Sequence, residues 1–313
     1  MPVQLTCCSH SPLMRTDIEA TDATGQEAFY AGIDAAGERL RAFNPELVVT
    51  FYPDHMIGFF LDLMPSFCVA LGAQSAVEFG IEQTPLRVPK ALGEQLVRHL
   101  HEQGFDTAFS HKLVVDHGVS LPLIQLTGGV DTYEVLPIFV NCAGDPRPSF
   151  QRTRLFGAEV GKFLATTGKR VAVIGSGGLS HDSPTSRIAK ATPERFLREN
   201  KRSAEEQIEF EHRGVENARG VVAGSNEGSK LPSETWDREF LDSFVAFDER
   251  RLDGITDDEI DNDVGGGTHE VRSWVAAAAC ARELGPIESE VVFYKVILEW
   301  ITGMAIVLGS DGA

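Results

Sequence analysis

The stretch VAVIGSGGLSHDSP, residues 171–184, decides how the rest of the chain is read. Val171 to Ile174 is a short apolar, β-branched run that Gly175, Gly177 and Gly178 break. A buried strand therefore enters a loop whose backbone must come close to something. No lysine follows, and the glycine spacing fits neither the dinucleotide fingerprint nor the phosphate loop. The loop ends on His181. It delivers an imidazole.

Working outward, similar runs recur at 3–9 (VQLTCCS), 47–53 (LVVTFYP), 67–73 (FCVALGA), 107–111 (TAFSH) and 135–141 (VLPIFVN). Between them, apolar spacing predicts helices over Gln26 to Phe43, Pro89 to Gln103 and Phe150 to Thr166. This alternation predicts an α/β fold, a layered mixed sheet with helices on both faces. From Pro193 to Gly214 the chain reads as charged helix, and 220–234 as loop. TDDE (256–259) is a capping box, and GGGTHE (265–270) opens an alanine-rich helix reaching Leu284. SEVVFYKVIL (289–298) reads as a last strand returning to the sheet. With no repeats, the expectation is a single domain, 1–313, carrying a helical and loop insertion over 185–262.

Bulk composition narrows the function. The 313 residues are 42% hydrophobic and 24% charged, as in a soluble globular protein. No apolar run is long enough to span a bilayer, and the N-terminus lacks a signal-peptide layout, so the expected compartment is cytoplasmic, with no membrane partner. A net charge of −18 repels phosphate backbones and argues against nucleic acid. The five cysteines form no CxxC pair and fit reduced thiols.

The polar residues at strand ends carry the chemistry. His10 ends SHSP, Asp54 and His55 end PDH, Asp116 and His117 lie in VDHG, His181 ends GLSH, and His269 and Glu270 lie in THE. Four of the nine histidines thus close a strand or begin the loop after one, where ligands of open α/β sheets bind. Singly, each histidine reads as a half-buried structural residue, Asp54 and Asp116 as turn formers or loop caps, and Glu270 as a helix-start carboxylate. Together they suggest a site. His99, His101, His111 and His212 have helical or charged surroundings and read as surface residues. Two histidines and a carboxylate with open positions make the facial triad of non-haem Fe(II) oxygenases, and further histidines could move protons. A zinc-dependent hydrolase would use the same ligand types, so the pattern leaves metal and reaction open. A serine-hydrolase reading of Ser180 fails because SGGLSH is no nucleophile elbow.

The motifs CSHSPLM, FNPELVVTFYPDH, VDHG, VLPIFVN, FQRTR, GSGGLSH and THE--SWVAA together resemble the class III (LigB-like) extradiol ring-cleaving dioxygenases. Within that family the similarity is to enzymes of 3-(2,3-dihydroxyphenyl)propionate and related 3-substituted catechols. It runs from about Val3 to Trp300 and is weakest between Asp182 and Glu234. The resemblance implies Fe(II) bound by His10, His55 and Glu270, His117 as proton donor and His181 as proton acceptor. It implies a catechol and O2 as substrates, and a homo-oligomer. A non-catalytic binding member of the fold would be expected to lack some of these five residues, and all five are present. Family members usually carry Tyr-Asn after PDH, where this chain has Met56 and Ile57, so these two are expected to shape the substrate pocket. Arg152, with Arg154, is the candidate for a substrate carboxylate, and the segment around 185–230 is expected to cover the pocket.

Overall fold

The structure is a computed structural model describing residues 2–19, 23–225 and 229–310. Its strands and helices, in chain order, are β1 (Val3–Cys8), α1 (Ala23–Phe43), β2 (Leu47–Tyr52), β3 (Phe67–Ala70), β4 (Ala73–Ser75), α2 (Lys90–Glu102), β5 (Ala108–Ser110), β6 (Leu113–Val115), α3 (His117–Thr127), β7 (Val135–Val140), α4 (Phe150–Ala165) and β8 (Val171–Ser176). There follow α5 (Pro184–Ala191), α6 (Ala204–Val222), α7 (Glu234–Val245), α8 (Glu249–Asp253), α9 (Asp257–Glu259), α10 (Val271–Leu284), β9 (Glu288–Ile297) and β10 (Thr302–Ser310).

Eight strands form one mixed sheet in the order β5-β3-β7-β2-β8-β1-β10-β9, and β4 and β6 form a small parallel pair. β1, β8, β2 and β7 run parallel at its centre, so the loops after β1, β2 and β8 leave by the same edge. The central strands are apolar throughout because both faces are covered. Along β8, Val171 and Val173 enter one core, and Ala172 and Ile174 enter the other. The first core packs under α2, α4, α7 and α10, the second under α1 and α3. The layered α/β expectation holds.

α4 and α10 lie unusually close. A Cβ at Gly157 would run into the Ala276 backbone, so the contact requires glycine on α4 and small residues on α10. Helix α10 thereby sits firmly on the sheet, with Trp274 fully buried. This fixes Glu270, the residue immediately before α10.

Four elements differ from the sequence reading. FCVALGA divides into β3 and the start of β4. Residues 117–127 form a buried helix although Pro122 lies inside it. The chain does not end its sheet at β9, because β10 pairs antiparallel with both β1 and β9 and is the buried strand of the two. The charged helix runs to Val222, beyond Gly214, and shortens the expected 220–234 loop. Residues 226–228 of that loop lie outside the described residues.

Candidate active site

Five side chains meet where the parallel strands end. His10 follows β1. Its Nδ1 lies 2.8 Å from Ser176 Oγ, which donates its only hydrogen to the Gly118 carbonyl at 2.6 Å. Ser176 must therefore accept from His10 Nδ1, which leaves the His10 Nε2 lone pair facing inward. That nitrogen is buried with no hydrogen-bond partner among the described residues and lies 3.8 Å from Glu270 Oε2. Burial, against the pull of Glu270, pushes His10 down to about 3. It is a neutral imidazole.

His55 follows β2. Its backbone N–H and its Nδ1 both reach Asp116 Oδ2, at 2.6 and 2.8 Å. Burial opposes ionisation of Asp116, yet His55 pulls it down to about 2, so Asp116 is the acceptor and His55 Nδ1 the donor. The other Asp116 oxygen accepts the Gly118 N–H and caps α3. Asp54 fixes the loop after His55 by accepting the N–H groups of Ile57, Gly58 and Phe59. The Nε2 of His55 faces Glu270 Oε1 at 3.1 Å.

His117 is the first residue of α3 and stacks on His55 with ring centroids 4.2 Å apart. Glu78 accepts its backbone N–H at 2.5 Å and faces its Nδ1 at 3.0 Å. The Nε2 of His117 is also buried and unpartnered among the described residues.

His181 ends the glycine loop. Its Nδ1 donates to the Leu179 carbonyl at 2.8 Å, so the lone pair is on Nε2, 3.3 Å from Glu270 Oε1. Gly177 has φ +153° and a Cβ there would strike Glu270, which explains the glycine turn: it lets the loop close on the carboxylate. Gly178 N–H then donates to Glu270 Oε2 at 2.8 Å, and Trp274 Nε1 donates to the Gly177 carbonyl at 3.0 Å.

Imidazole nitrogens thus converge on one buried carboxylate. Burial depresses His55 and His181, but Glu270 and, for His55, Asp116 outweigh it and raise both. Burial raises Glu270, and the two imidazoles more than reverse this. Glu270 draws positive charge to the centre. Extra protons could supply it at His55 and His181, but not at His10, whose lone pair fits a metal ion. His10, His55 and Glu270 could hold that ion. The ring nitrogens of His10, His55 and His117 also lie within 4.8 Å of one another.

These groups open into a cavity of about 350 Å³ lined by His10, His55, His117, His181, Glu78 and Glu270 and walled further by residues of 183–217. Ile57 is in its wall. Met56 is not, being buried against Ala189 and Phe196. The structure does not bring Arg152 to the cavity. Its guanidinium lies over the Phe105 ring and donates to the Gly104 carbonyl, while Arg154 makes a two-pronged pair with Asp253. These helix-start arginines staple α4 to its neighbours. His269 points elsewhere too, buried between Asp261 and Arg272. Sequence reasoning missed Glu78 and Ser176; Asp116, which it set among the strand-end residues and also read as a turn former or loop cap, both caps α3 and holds His55. The usable signal for Glu78 was a carboxylate isolated in the apolar run AVEFGI.

Residues 4–305 match the family described as the catalytic LigB subunit of aromatic ring-opening dioxygenase. The chain belongs to this LigB family of ring-opening dioxygenases. It is 40% identical to the 2,3-dihydroxyphenylpropionate/2,3-dihydroxicinnamic acid 1,2-dioxygenase of Cupriavidus pinatubonensis, over 97% of each chain. Enzymes of the same name from Escherichia coli and Photorhabdus laumondii are 38% and 36% identical, covering 97% and 98% of this chain and 97% of each of theirs. Among solved structures it is similar to the uncharacterized protein JW3007 of Escherichia coli K12, with a TM-score of 0.49, 14% identity and coverage of 97% and 98% of the two chains. Among the described residues, no helix is long and apolar enough to cross a membrane.

Proposed function

We propose that this chain performs Fe(II)-dependent extradiol cleavage of a 3-substituted catechol, 3-(2,3-dihydroxyphenyl)propionate or a near relative, with both atoms of O2 entering the product. The observation that carries the metal assignment is the buried, unpartnered Nε2 of neutral His10, facing Glu270 and joined there by His55. These three residues make a two-histidine, one-carboxylate set with room for substrate, the arrangement suited to ferrous oxygenases. When bound, ferrous iron supplies the redox chemistry that lets O2 react with a catechol.

The remaining steps belong to the protein. His181 Nε2, its proton kept on Nδ1 by the Leu179 carbonyl, takes a proton from a catechol hydroxyl as the diol binds. Glu78 orients the His117 ring through Nδ1, so the buried, unpartnered Nε2 is the atom aimed to donate a proton to the oxygenated substrate before the ring opens. The apolar part of the cavity wall, Leu13, Ile57, Phe79 and Ile188 among it, holds the ring, and hydrolysis then gives a ring-opened dienol acid. The five cysteines, all buried and unpaired, suit a reducing cytoplasm in which iron stays ferrous.

The test is anaerobic Fe(II) reconstitution followed by oxygen uptake against a panel of substituted catechols. The expected result is stoichiometric O2 consumption with a yellow ring-opened product. Equal activity with zinc and no oxygen uptake would overturn the reading.

A further inference from the structure

The cavity has a second chemical character besides its histidines and carboxylates. One face of α6 supplies Gln207, Phe210, Arg213, Gly214 and Asn217 to its wall, at intervals of three to four residues. Arg195 and Arg202, from the chain just before α6, line the same cavity. Three arginines thus line one cavity in a protein of net charge −18. Arg213 has a carboxylate neighbour, Glu209, at 3.7 Å. Arg195 and Arg202 have no ion-pair partner among the described residues.

Arg202 is held in place rather than free. Its Nε donates to Gln207 Oε1 at 2.8 Å, and its guanidinium lies 4.0 Å over the Phe210 ring. Gln207 donates onward to Glu211 at 3.1 Å, and Glu211 accepts the Phe79 N–H at 3.1 Å, beside the Glu78 that braces His117. The terminal nitrogens of the Arg202 fork keep no protein acceptor among the described residues. Burial, with Arg195 and Arg213 as like-charged neighbours, lowers the pKa of Arg202, with Glu78 and Glu206 acting the other way. A half-buried guanidinium whose terminal N–H groups lack acceptors is costly unless an anion joins it.

We infer that Arg202, with Arg195 beside it, is the subsite for the terminal carboxylate of the substrate's side chain, read through the open fork of the guanidinium. This rests on the catechol reading above and names the groups that select the substituent. A carboxylate at the end of a short flexible chain is then held by paired N–H···O bonds while the diol occupies the histidine end. The helical insertion, and not the sheet, decides which catechol is taken.

The experiment compares wild type, Arg202→Gln, Arg202→Lys, Arg195→Gln and, as a control outside the cavity, Arg219→Gln. Oxygen uptake gives kcat/KM for 3-(2,3-dihydroxyphenyl)propionate and for the uncharged 3-propylcatechol. Calorimetry gives the affinity of 3-phenylpropionate and of 3-phenylpropanol, neither of which has ring hydroxyls. Arg202→Gln should lower the anionic-over-neutral ratio in both measurements by about 10- to 100-fold, the size expected for a lost charged hydrogen-bond pair. Arg202→Lys should recover part of it, Arg195→Gln should lose less, and Arg219→Gln should match wild type. Retained discrimination in both Arg202 variants, or a wild type that binds 3-phenylpropanol as well as 3-phenylpropionate, overturns the subsite. Absence of turnover on either catechol would sink the dioxygenase reading alone, since the calorimetric arm still decides the anion site.

Discussion

Pro122 removes one amide from the middle of α3, and the consequence reaches His10. Without that N–H, the Gly118 carbonyl four residues earlier has no helical donor. It accepts Ser176 Oγ instead, and Ser176 in turn accepts from His10 Nδ1, leaving Nε2 for a metal. At this scale the proton carriers separate from the ligands. Glu270→Ala should lose nearly all bound iron, whereas His117→Ala should keep a full equivalent while ring cleavage falls about 10²–10⁴-fold, the usual worth of a general acid. Iron analysis of both purified variants decides it, and loss of iron from His117→Ala would move that residue into the ligand set. Glu78→Gln should keep iron and lower turnover about 10- to 100-fold, as loss of a bracing carboxylate commonly does. Unchanged turnover would reduce Glu78 to a loop anchor.

At the scale of elements, α7 reaches under the glycine loop through Asp237. Its Oδ1 accepts the Ser180 N–H at 2.8 Å, next to His181, and its Oδ2 accepts the Tyr294 hydroxyl of β9 at 2.9 Å. Burial raises Asp237 to about 6 despite these bonds. In the unfolded chain an aspartate ionises near pH 4, so the native state holds this proton more tightly. The contribution to stability is therefore complete below about pH 4 and is lost as pH rises through 6. Two units correspond to about 3 kcal/mol. Asparagine imitates the protonated acid, so the wild-type-minus-Asp237→Asn difference in urea unfolding should change by about that amount between pH 4 and 7.5. The other buried carboxylates cancel in the subtraction. A flat difference would mean that Asp237 ionises as in water.

For the molecule as a whole, the donor atoms that only the fold brings together couple metal to folding. The unfolded chain has no converging lone pairs, so a divalent ion binds the native state and stabilises it by mass action. Ferrous ion under anaerobic conditions should raise Tm, and chelation should reverse the rise. Saturating a site a hundredfold above Kd corresponds to about 3 kcal/mol. Glu270→Ala should lose most of the response. If the variant and wild type respond equally, the stabilising ion sits elsewhere.

Much of the fold was legible because its signals are local. The β-branched runs, the apolar spacing of α1 and α2 and the glycines after β8 each act within a few residues of chain. From the alternation of strands and helices it also followed that His10, His55 and His181 leave the sheet by one edge. Other features depend on partners far away in the chain. Ser176 is 166 residues from His10, Asp116 is 61 from His55, and Glu78 is 39 from His117, yet these contacts decide which nitrogen carries the proton. The helix through Pro122 and the buried strand β10 likewise depend on what packs against them. Arg152 looked available because solvent and substrate cannot be told apart along a chain, and only packing gave it Phe105 and Gly104 as partners. The sequence alone determined an α/β sheet with imidazoles at its active edge. Tertiary structure decided their protonation, their charge balance and the arginine wall, because electrostatics acts through space and not along the chain.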